Sequence, residues 1–273
     1  MANKETRSLY NGDVNIDFFP DSHRYKKVGE KTYLISVTAC TGLIDKSRFL
    51  IPWAVGLCGS FLREYLEKSE NFCREELLPI VDEALRQHTI KKDDAADIGK
   101  RIHEYCELFA LAQINGNDLP DFPPVLDTDK QLEDGSYPIE NGINAFLKWF
   151  NDNDIKFLEA ERLVYSKNME VVGTLDAIAM VNGKRVLIDF KTGKGFYSEY
   201  NYQVAAYRAM YCEEMETPFD YALILHFNKE TGEFDTKKIE NEDLMKDWSV
   251  FHSLLQVKRR EKELANAQKY ETI

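Results

Sequence analysis

Two spacings of apolar residues recur along the chain, and each is typical of one kind of element. Alternation of apolar with polar residues predicts a strand with one buried face, and a short apolar run rich in β-branched residues predicts a strand buried on both faces. The strands predicted in this way are residues 14–19, 23–28, 32–37, 171–181, 186–190, 221–227 and 236–239. We expect the first three to form a small antiparallel meander.

Apolar residues three and four positions apart predict helices between these strands. The predicted helices are residues 47–66, 72–87, 93–114, 142–153, 198–214 and 242–268. Asp93 or Asp94 is expected to cap the third helix, because a carboxylate can accept hydrogen bonds from the free amides of a first turn. Residues 115–137 are rich in Asp, Pro and Gly and predict a long surface loop.

The succession of strands and helices predicts an α/β protein. A chain of 273 residues suits one large domain, or a core with an appended subdomain. We expect an N-terminal β-meander plus helical region over residues 1–92, and a core that ends in a long C-terminal helix over residues 93–273.

An Asn-Gly pair at residues 182–183 predicts a tight hairpin between the two strands that flank it. A two-residue turn of this kind needs positive φ at both positions, which Asn and Gly tolerate. Folding back at this turn brings Asp176 alongside Asp189. Because side chains alternate along a strand, Lys191 shares the face of Asp189, while Phe190 points toward the core and its carbonyl lies beside Asp189.

These residues admit a structural interpretation as well as a functional one. An ion pair between Asp189 and Lys191 at a strand end would leave Asp176 merely solvated, and the Asp-x-Lys triplet alone favours that interpretation. Function is favoured by the second acid and by Gln203 and Tyr207, which lie one helical turn apart on a predicted helix.

Three further polar residues leave alternatives open. His103 lies on an amphipathic helix, where a lone histidine is more often structural than a ligand. Glu107 shares its helical face and either orients the imidazole or is solvated. Glu161 is a weaker candidate for the site, and the alternative is a surface acid that ends a helix.

Four motifs occur in order along the second part of the chain. They are Gly-x-x-x-His at 99–103, Gly-x-x-Asp at 173–176, Asp-x-Lys-Thr at 189–192 and Gln-x-x-x-Tyr at 203–207. In this order and spacing they resemble the RecB-like branch of the PD-(D/E)xK nuclease superfamily, including mitochondrial genome-maintenance-type and phage-encoded exonucleases. The resemblance covers roughly residues 93–240. It implies a restriction-endonuclease-like core, in which helices flank a mixed central sheet.

The resemblance also implies an activity and roles for the motif residues. The activity is metal-dependent hydrolysis of DNA, most readily by an exonuclease acting on ends or single strands in replication, recombination or phage DNA processing. The implied catalytic residues are Asp176, Asp189 and Lys191, the metal ligands are His103, Asp176, Asp189 and the Phe190 carbonyl, and the DNA-facing residues are Gln203 and Tyr207. One or two Mg²⁺ or Mn²⁺ ions suit carboxylate and carbonyl oxygens with one imidazole.

Other functions remain compatible with the same residues. A nuclease-fold protein that binds DNA or a partner without cutting is one alternative, although intact acids and a lysine argue against it. A structure-specific endonuclease and a metal-assisted hydrolase of nucleotides are the others. The nucleotide hydrolase lacks support from a glycine-rich phosphate loop, because the Gly-Lys-Gly at residues 193–195 is too short to form one.

The charge of the chain complicates a DNA-binding function. With 35 basic and 47 acidic residues the formal net charge is −12, whereas phosphate binding depends on Lys and Arg. Local basic clusters occur at residues 24–27, 46–48, 184–185 and 258–260. The first two include or adjoin aromatic residues and could grip a strand by stacking as well as charge, or they could be solvated faces.

The cysteine spacing and the absence of long apolar stretches exclude further classes of protein. Five cysteines are scattered without Cys-x-x-Cys spacing, which argues against a zinc ribbon and a disulfide framework. One cysteine lies late in the chain, so no iron–sulfur cluster of the kind found in some RecB-like relatives is expected. No stretch is apolar enough for a membrane span or a signal peptide, so we expect a cytoplasmic protein without a membrane partner.

Overall fold

The computed structural model describes residues 3–68 and 73–271, and it has a mixed α/β architecture. The strands are β1 (Glu5–Leu9), β2 (Val14–Phe19), β3 (Arg24–Lys27), β4 (Ile35–Ser36), β5 (Ile155–Ser166), β6 (Val171–Val181), β7 (Lys184–Lys191), β8 (Tyr221–Phe227) and β9 (Phe234–Glu240). The helices are α1 (Val37–Thr41), α2 (Ser47–Lys68), α3 (Arg74–Asn115), α4 (Pro138–Asp152), α5 (Ser198–Met215) and α6 (Asn241–Glu271). The predicted α/β class is confirmed.

Six strands form the central sheet, and β6 pairs with three of them. β5 pairs antiparallel with β6 along one edge, from Ser166 opposite Val171 to Ile155 opposite Val181. The other edge of β6 pairs with β7 at residues 177–181 and with β4 at residues 171–172. β7 pairs in parallel with β8, and β8 pairs antiparallel with β9. The sheet is therefore mixed.

The predicted hairpin between β6 and β7 is confirmed. Asn182 and Gly183 have φ of 50° and 77°, which are the positive values that a type I′ turn requires. The side-chain oxygen of Asn182 also accepts a hydrogen bond of 3.0 Å from the amide of Asp154 at the start of β5. The turn thus holds the ends of three neighbouring strands in register.

Apolar residues cover both faces of this sheet. On one face α1, α5 and α6 bury a cluster that includes Leu187 and Tyr207. On the other face α3 and α4 bury an aromatic cluster centred on Phe146, whose ring meets those of Phe190 and Phe227 edge to face at 5.9 and 5.8 Å. Alternation along β7 therefore sends Phe190 into the core, as predicted.

The small sheet β1-β2-β3 is an antiparallel meander that packs on the ends of β5 and β6. The predicted strand 14–19 is observed as β2 and the strand 23–28 as β3. The third predicted strand, 32–37, belongs only partly to the meander, since Tyr33 forms an isolated antiparallel bridge with Lys26 of β3. Its residues Ile35 and Ser36 form β4 in the central sheet instead, where they pair in parallel with Val171 and Val172.

Two helix predictions also need correction. The helices expected at residues 72–87 and 93–114 are one helix, α3, and Asp93 and Asp94 lie within it rather than capping a new one. Residue 72 itself lies outside the described residues. The boundary proposed between residues 92 and 93 falls inside α3. The run from 88 to 94 lacks Gly and Pro, so nothing local ends the helix there.

Helix α2 and the first half of α3 pack on each other away from the sheet. No residue of α2 is buried, and several large apolar side chains on this pair of helices are exposed, Phe49 at 73%. We call α2 and residues 74–97 of α3 the outer hairpin. Within the described ranges, no helix combines the length and the apolar character needed to cross a membrane.

The aromatic cluster gives a test of where stability resides. We expect Phe146→Ala to lower the free energy of unfolding by about 3–5 kcal/mol, because it leaves a cavity among packed rings. The matched control is Phe49→Ala on the outer hairpin, which should change it by less than about 0.5 kcal/mol. Urea unfolding followed by circular dichroism measures both, and equal losses would contradict this description of the core.

Candidate active site

The candidate site lies where β6 loses its partner strand. β7 pairs with β6 as far as Ala177, β4 pairs with it at residues 171–172, and no described strand pairs with residues 173–176 on that edge. The carboxylate of Asp176 occupies this gap. Its Oδ2 accepts a hydrogen bond of 2.7 Å from the backbone amide of Phe190, which the end of the β-ladder would otherwise leave without a partner.

Asp189 and Lys191 lie on β7 beside this gap. Asp189 has no solvent exposure, and the ammonium of Lys191 lies 2.5 Å from its Oδ2. Oδ2 is therefore ion-paired with Lys191, whereas Oδ1 has no hydrogen-bond partner among the described residues. Burial raises the pKa of the Asp189 carboxyl to about 6, opposed by the charge of Lys191 and reinforced by that of Asp176.

His103 reaches the site from α3. Its Nδ1 lies 3.9 Å from Oδ2 of Asp176, and its ring meets the ring of Phe190 edge to face at 6.2 Å. Burial, followed by the nearby positive charge of Lys191, lowers the pKa of the imidazole to about 4. The ring is therefore neutral at pH 7, which is the form that binds metal ions.

A glycine allows α3 to approach the end of β7. A Cβ atom on Gly99 would lie 2.7 Å from Oγ1 of Thr192, so the Thr192 side chain would have to move to admit it. Gly99 is one turn before His103 on α3, so this close approach is on the side of the helix that carries the imidazole.

Gln203 and Tyr207 share one face of α5. The amide Nε2 of Gln203 donates a hydrogen bond of 3.0 Å to the hydroxyl of Tyr207. The Tyr207 ring is buried and fills the space beside Gly173, where a Cβ would lie 2.6 Å from Cε1. Burial raises the pKa of the Tyr207 phenol, and the charges of Asp189 and Asp176 add to the rise. The pair therefore borders the acidic residues.

Glu161 is the residue that the sequence left most uncertain. It lies in β5 between Ala160 and Arg162, whose partners on β6 are Ala177 and Leu175, so it is level with Asp176 across the sheet. The alternative of a surface acid ending a helix is wrong. Its φ of 47° is a left-handed conformation that is uncommon for a residue with a side chain.

Negative charges crowd around Glu161. Burial raises the pKa of its carboxyl to about 8, and the charges of Asp176 and Glu107 add to the rise. The pKa of Glu107 is itself raised, first by burial and then by Glu104 and Asp176. The alternation along β5 could have revealed this acid, but a bulge between Phe157 and Glu159 interrupts the pattern.

The donor atoms of the site suit a hard divalent cation. Oδ1 of the buried Asp189 carboxylate lacks a hydrogen-bond partner, and Lys191 offsets the cost of burying this charge only in part, so a bound cation would relieve it. Oxygens of Asp176 and Asp189 with one imidazole suit Mg²⁺ or Mn²⁺. As the side chains stand, no three His, Cys, Asp or Glu residues within 3–68 and 73–271 are grouped closely enough to hold one ion together.

Comparisons with known proteins do not place the chain in a family. No family model and no curated protein matches it. Among solved structures, one titled "Crystal structure of SSO0001" is 17% identical over 41% of this chain, with a TM-score of 0.25. The match covers 56% of that structure's chain. A TM-score this low does not establish a shared fold.

The raised pKa of Glu161 predicts a pH-dependent cost to stability. In the folded state this carboxyl holds its proton up to about pH 8, whereas in the unfolded state it loses the proton near its ordinary pKa of 4.5. Its contribution to stability is thus complete below about pH 4.5 and is lost as the pH rises toward about 8.

We therefore expect Glu161→Gln to gain stability over the native chain as the pH rises from about 5 to 8. Each pKa unit corresponds to about 1.4 kcal/mol, so a partly screened carboxyl still gives a relative gain of at least ~1 kcal/mol. Urea unfolding in EDTA measures the difference. A difference that stays constant across this range would show that Glu161 ionises as it does in water.

Proposed function

We propose that the chain is a divalent-metal-dependent deoxyribonuclease of the RecB-like PD-(D/E)xK type, and that it acts as an exonuclease on DNA ends or single strands. Replication, recombination or phage DNA processing is the setting that this activity fits. The observation that carries the proposal is Asp189, a fully buried carboxylate that is ion-paired with Lys191 through Oδ2 and has no hydrogen-bond partner at Oδ1. The charge of Asp176 is close enough to raise the pKa of Asp189. Burial of such a charge lowers the stability of the folded chain, and ionisable groups in environments of this kind cluster at functional sites.

Three side chains fit the role of cation ligands in this proposal. Asp176 and Asp189 offer oxygens, His103 offers a neutral imidazole, and the carbonyl of Phe190 is the further ligand expected from the sequence. A divalent cation held there would neutralise negative charge on the phosphate. It would also lower the pKa of a bound water, so that hydroxide is available as the nucleophile near neutral pH.

The remaining residues act on the substrate directly. Lys191 is partly buried, with its ammonium 4.9 Å from the ring centroid of Tyr200, and this contact limits the positions that it can adopt. It can turn from Asp189 to donate a hydrogen bond to a phosphate oxygen or to the attacking water. Gln203 retains one amide hydrogen and its carbonyl beyond the bond to Tyr207, and it fits a role in holding the strand next to the scissile bond.

The outer hairpin supports a preference for ends or single strands. α3 runs without a break from the outer hairpin to His103, so the hairpin projects from the candidate site rather than from a remote surface. An acidic chain attracts duplex DNA weakly at long range, because like charges repel. Local gripping of a strand end is the mode of binding that both features favour.

The site acids and lysine give the central test. We expect Asp189→Asn and Lys191→Ala each to reduce cleavage by at least about 100-fold, because each removes a group at the scissile phosphate. The matched control is Asp243→Asn on the exposed start of α6, which should cleave as the native chain does. The assay uses end-labelled single-stranded, linear duplex and closed circular DNA with Mg²⁺, Mn²⁺ or EDTA.

The substrates in this assay separate the competing functions. An exonuclease leaves the closed circle intact, whereas an endonuclease opens it. Binding without cleavage in either metal would support a nuclease-fold protein that does not cut. Full activity of Asp189→Asn would overturn the proposed site, since no other acid of the site is buried so completely without a hydrogen-bond partner.

Metal preference tests the role of His103. Imidazole suits Mn²⁺ better than Mg²⁺, so His103→Ala should weaken cleavage in Mn²⁺ more than cleavage in Mg²⁺. His88→Ala, on the exposed outer part of the same helix, is the control and should leave the Mn²⁺/Mg²⁺ ratio of rates unchanged. An unchanged ratio for His103→Ala would remove this residue from the ligand set.

A further inference from the structure

A groove of about 670 Å³ lies outside the candidate site, between the N-terminal meander and α6. One wall comes from residues 23–25 of the meander and from residues 32–36, which lead into β4. The other wall is the outer part of α6, including Lys258 and Lys262. One basic residue from each of two clusters noted in the sequence, Arg24 from 24–27 and Lys258 from 258–260, therefore lines the same groove although the clusters are far apart in the sequence.

The charge of this groove differs from that of the chain. Arg24, Lys258 and Lys262 line it against a single acid, Glu261, which gives a balance of +2 where the whole chain carries −12. Burial lowers the pKa of His23, so this histidine adds no charge at pH 7. A polyanion that is repelled by most of the surface is attracted here.

The side chain of Tyr33 is partly exposed in the same groove. Tyr33 is 41% exposed, and the guanidinium of Arg24 lies over its ring at 5.0 Å from the centroid. The ammonium of Lys262 donates a hydrogen bond of 2.8 Å to the backbone carbonyl of Tyr33, which fixes the position of this residue against α6. A fixed aromatic ring beside positive charges is the combination that binds unpaired bases and their phosphates.

The groove leads toward the acidic residues of the candidate site. Tyr25 lines it, and the hydroxyl of Tyr25 lies 3.0 Å from that of Thr174 on β6. Thr174 is two residues before Asp176, which is about 7 Å along a strand. The charge of Glu161 also contributes to a raised pKa of Tyr25. One side chain therefore separates the groove from the gap in β6.

A neighbouring depression limits the attractive surface on one side. It has a volume of about 330 Å³, shares Tyr33 and Lys262 with the groove, and lies beside it at the same level of α6. Glu30, Glu170 and Glu263 line it against Arg259 and Lys262, so acids outnumber bases there. The attraction for a polyanion is thus confined to the part nearest Tyr25.

We propose that this groove binds single-stranded nucleic acid, with phosphates at Arg24 and Lys262 and a base stacked on Tyr33, and that it holds the strand that enters or leaves the candidate site. A single strand fits because its bases are free to stack, whereas those of a duplex are not. The proposal deepens the proposed nuclease function and rests on it for the chemistry beyond Tyr25. Binding in the groove is nonetheless measurable without cleavage.

The test is fluorescence anisotropy with a labelled oligothymidine of about 20 nucleotides in EDTA, where the proposed metal-dependent cleavage cannot occur. Arg24→Ala and Lys262→Ala should each weaken binding at least about threefold and reduce its dependence on salt, because each removes a phosphate contact. Lys246→Ala removes one exposed charge from the same helix at its other end and should leave binding within about twofold.

Stacking is tested separately from charge. Tyr33→Leu should weaken binding at least about fivefold, whereas Tyr33→Phe should retain it, because the phenyl ring keeps the stacking face. Thermal melts show whether each variant folds. If Lys262→Ala is unstable, Arg24→Ala still tests the proposal, because it leaves the hydrogen bond from Lys262 to Tyr33 intact. A duplex hairpin of the same length should bind more weakly than the single strand.

Three outcomes would overturn the proposal. The first is native binding by Arg24→Ala and Tyr33→Leu, and the second is the absence of any binding by the native chain in EDTA. The third is a combined result, in which polyglutamate of equal charge displaces the oligonucleotide and Tyr33→Leu leaves binding unchanged. That result would identify an acidic polypeptide as the occupant. Failure of the nuclease proposal is a different result, namely binding of this kind without cleavage in Mg²⁺ or Mn²⁺.

Discussion

Burial of the Asp189 carboxylate beside Lys191 is the constraint around which the sheet and its helices are arranged. A charge in this position loses hydration, and the single ammonium of Lys191 compensates for it only in part, because Oδ1 has no partner. Two glycines allow the surrounding elements to close over it, Gly99 on the α3 side and Gly173 on the α5 side. The aromatic cluster behind Phe190 supplies the apolar packing that stabilises a core containing such a charge.

The interrupted edge of β6 links the two ends of the chain to this constraint. β4 comes from the first forty residues and pairs with the start of β6, while β7 pairs with its end, and the Asp176 carboxylate lies between them. The N-terminal residues therefore complete the central sheet and do not merely flank it. The same β4 segment forms part of the wall of the basic groove, so the gap and the groove share a boundary.

Local chemistry made the hairpin predictable from sequence, and long-range pairing made the rest difficult. Asn182 and Gly183 encode their own turn, so the approach of Asp176 to Asp189 and the opposite direction of Phe190 could be predicted. β5 was missed because its bulge and the left-handed Glu161 disrupt alternation. β4 has two residues whose pairing partners lie 136 positions away along the chain, and no local pattern indicates that pairing. The lining of one groove by residues from two distant basic clusters likewise depends on tertiary structure alone.

The unbroken course of α3 has a mechanical consequence. The helix has 42 residues, and its outer end is 29 positions before His103, or about 44 Å at 1.5 Å per residue. A tilt of roughly 5° about the imidazole would carry the far end through about 4 Å, whereas the imidazole itself would hardly shift. Because the part of the helix around and beyond His103 is fixed by packing against β5 and α4, bending of the exposed outer part would move the distal tip through a wide arc without displacing the imidazole.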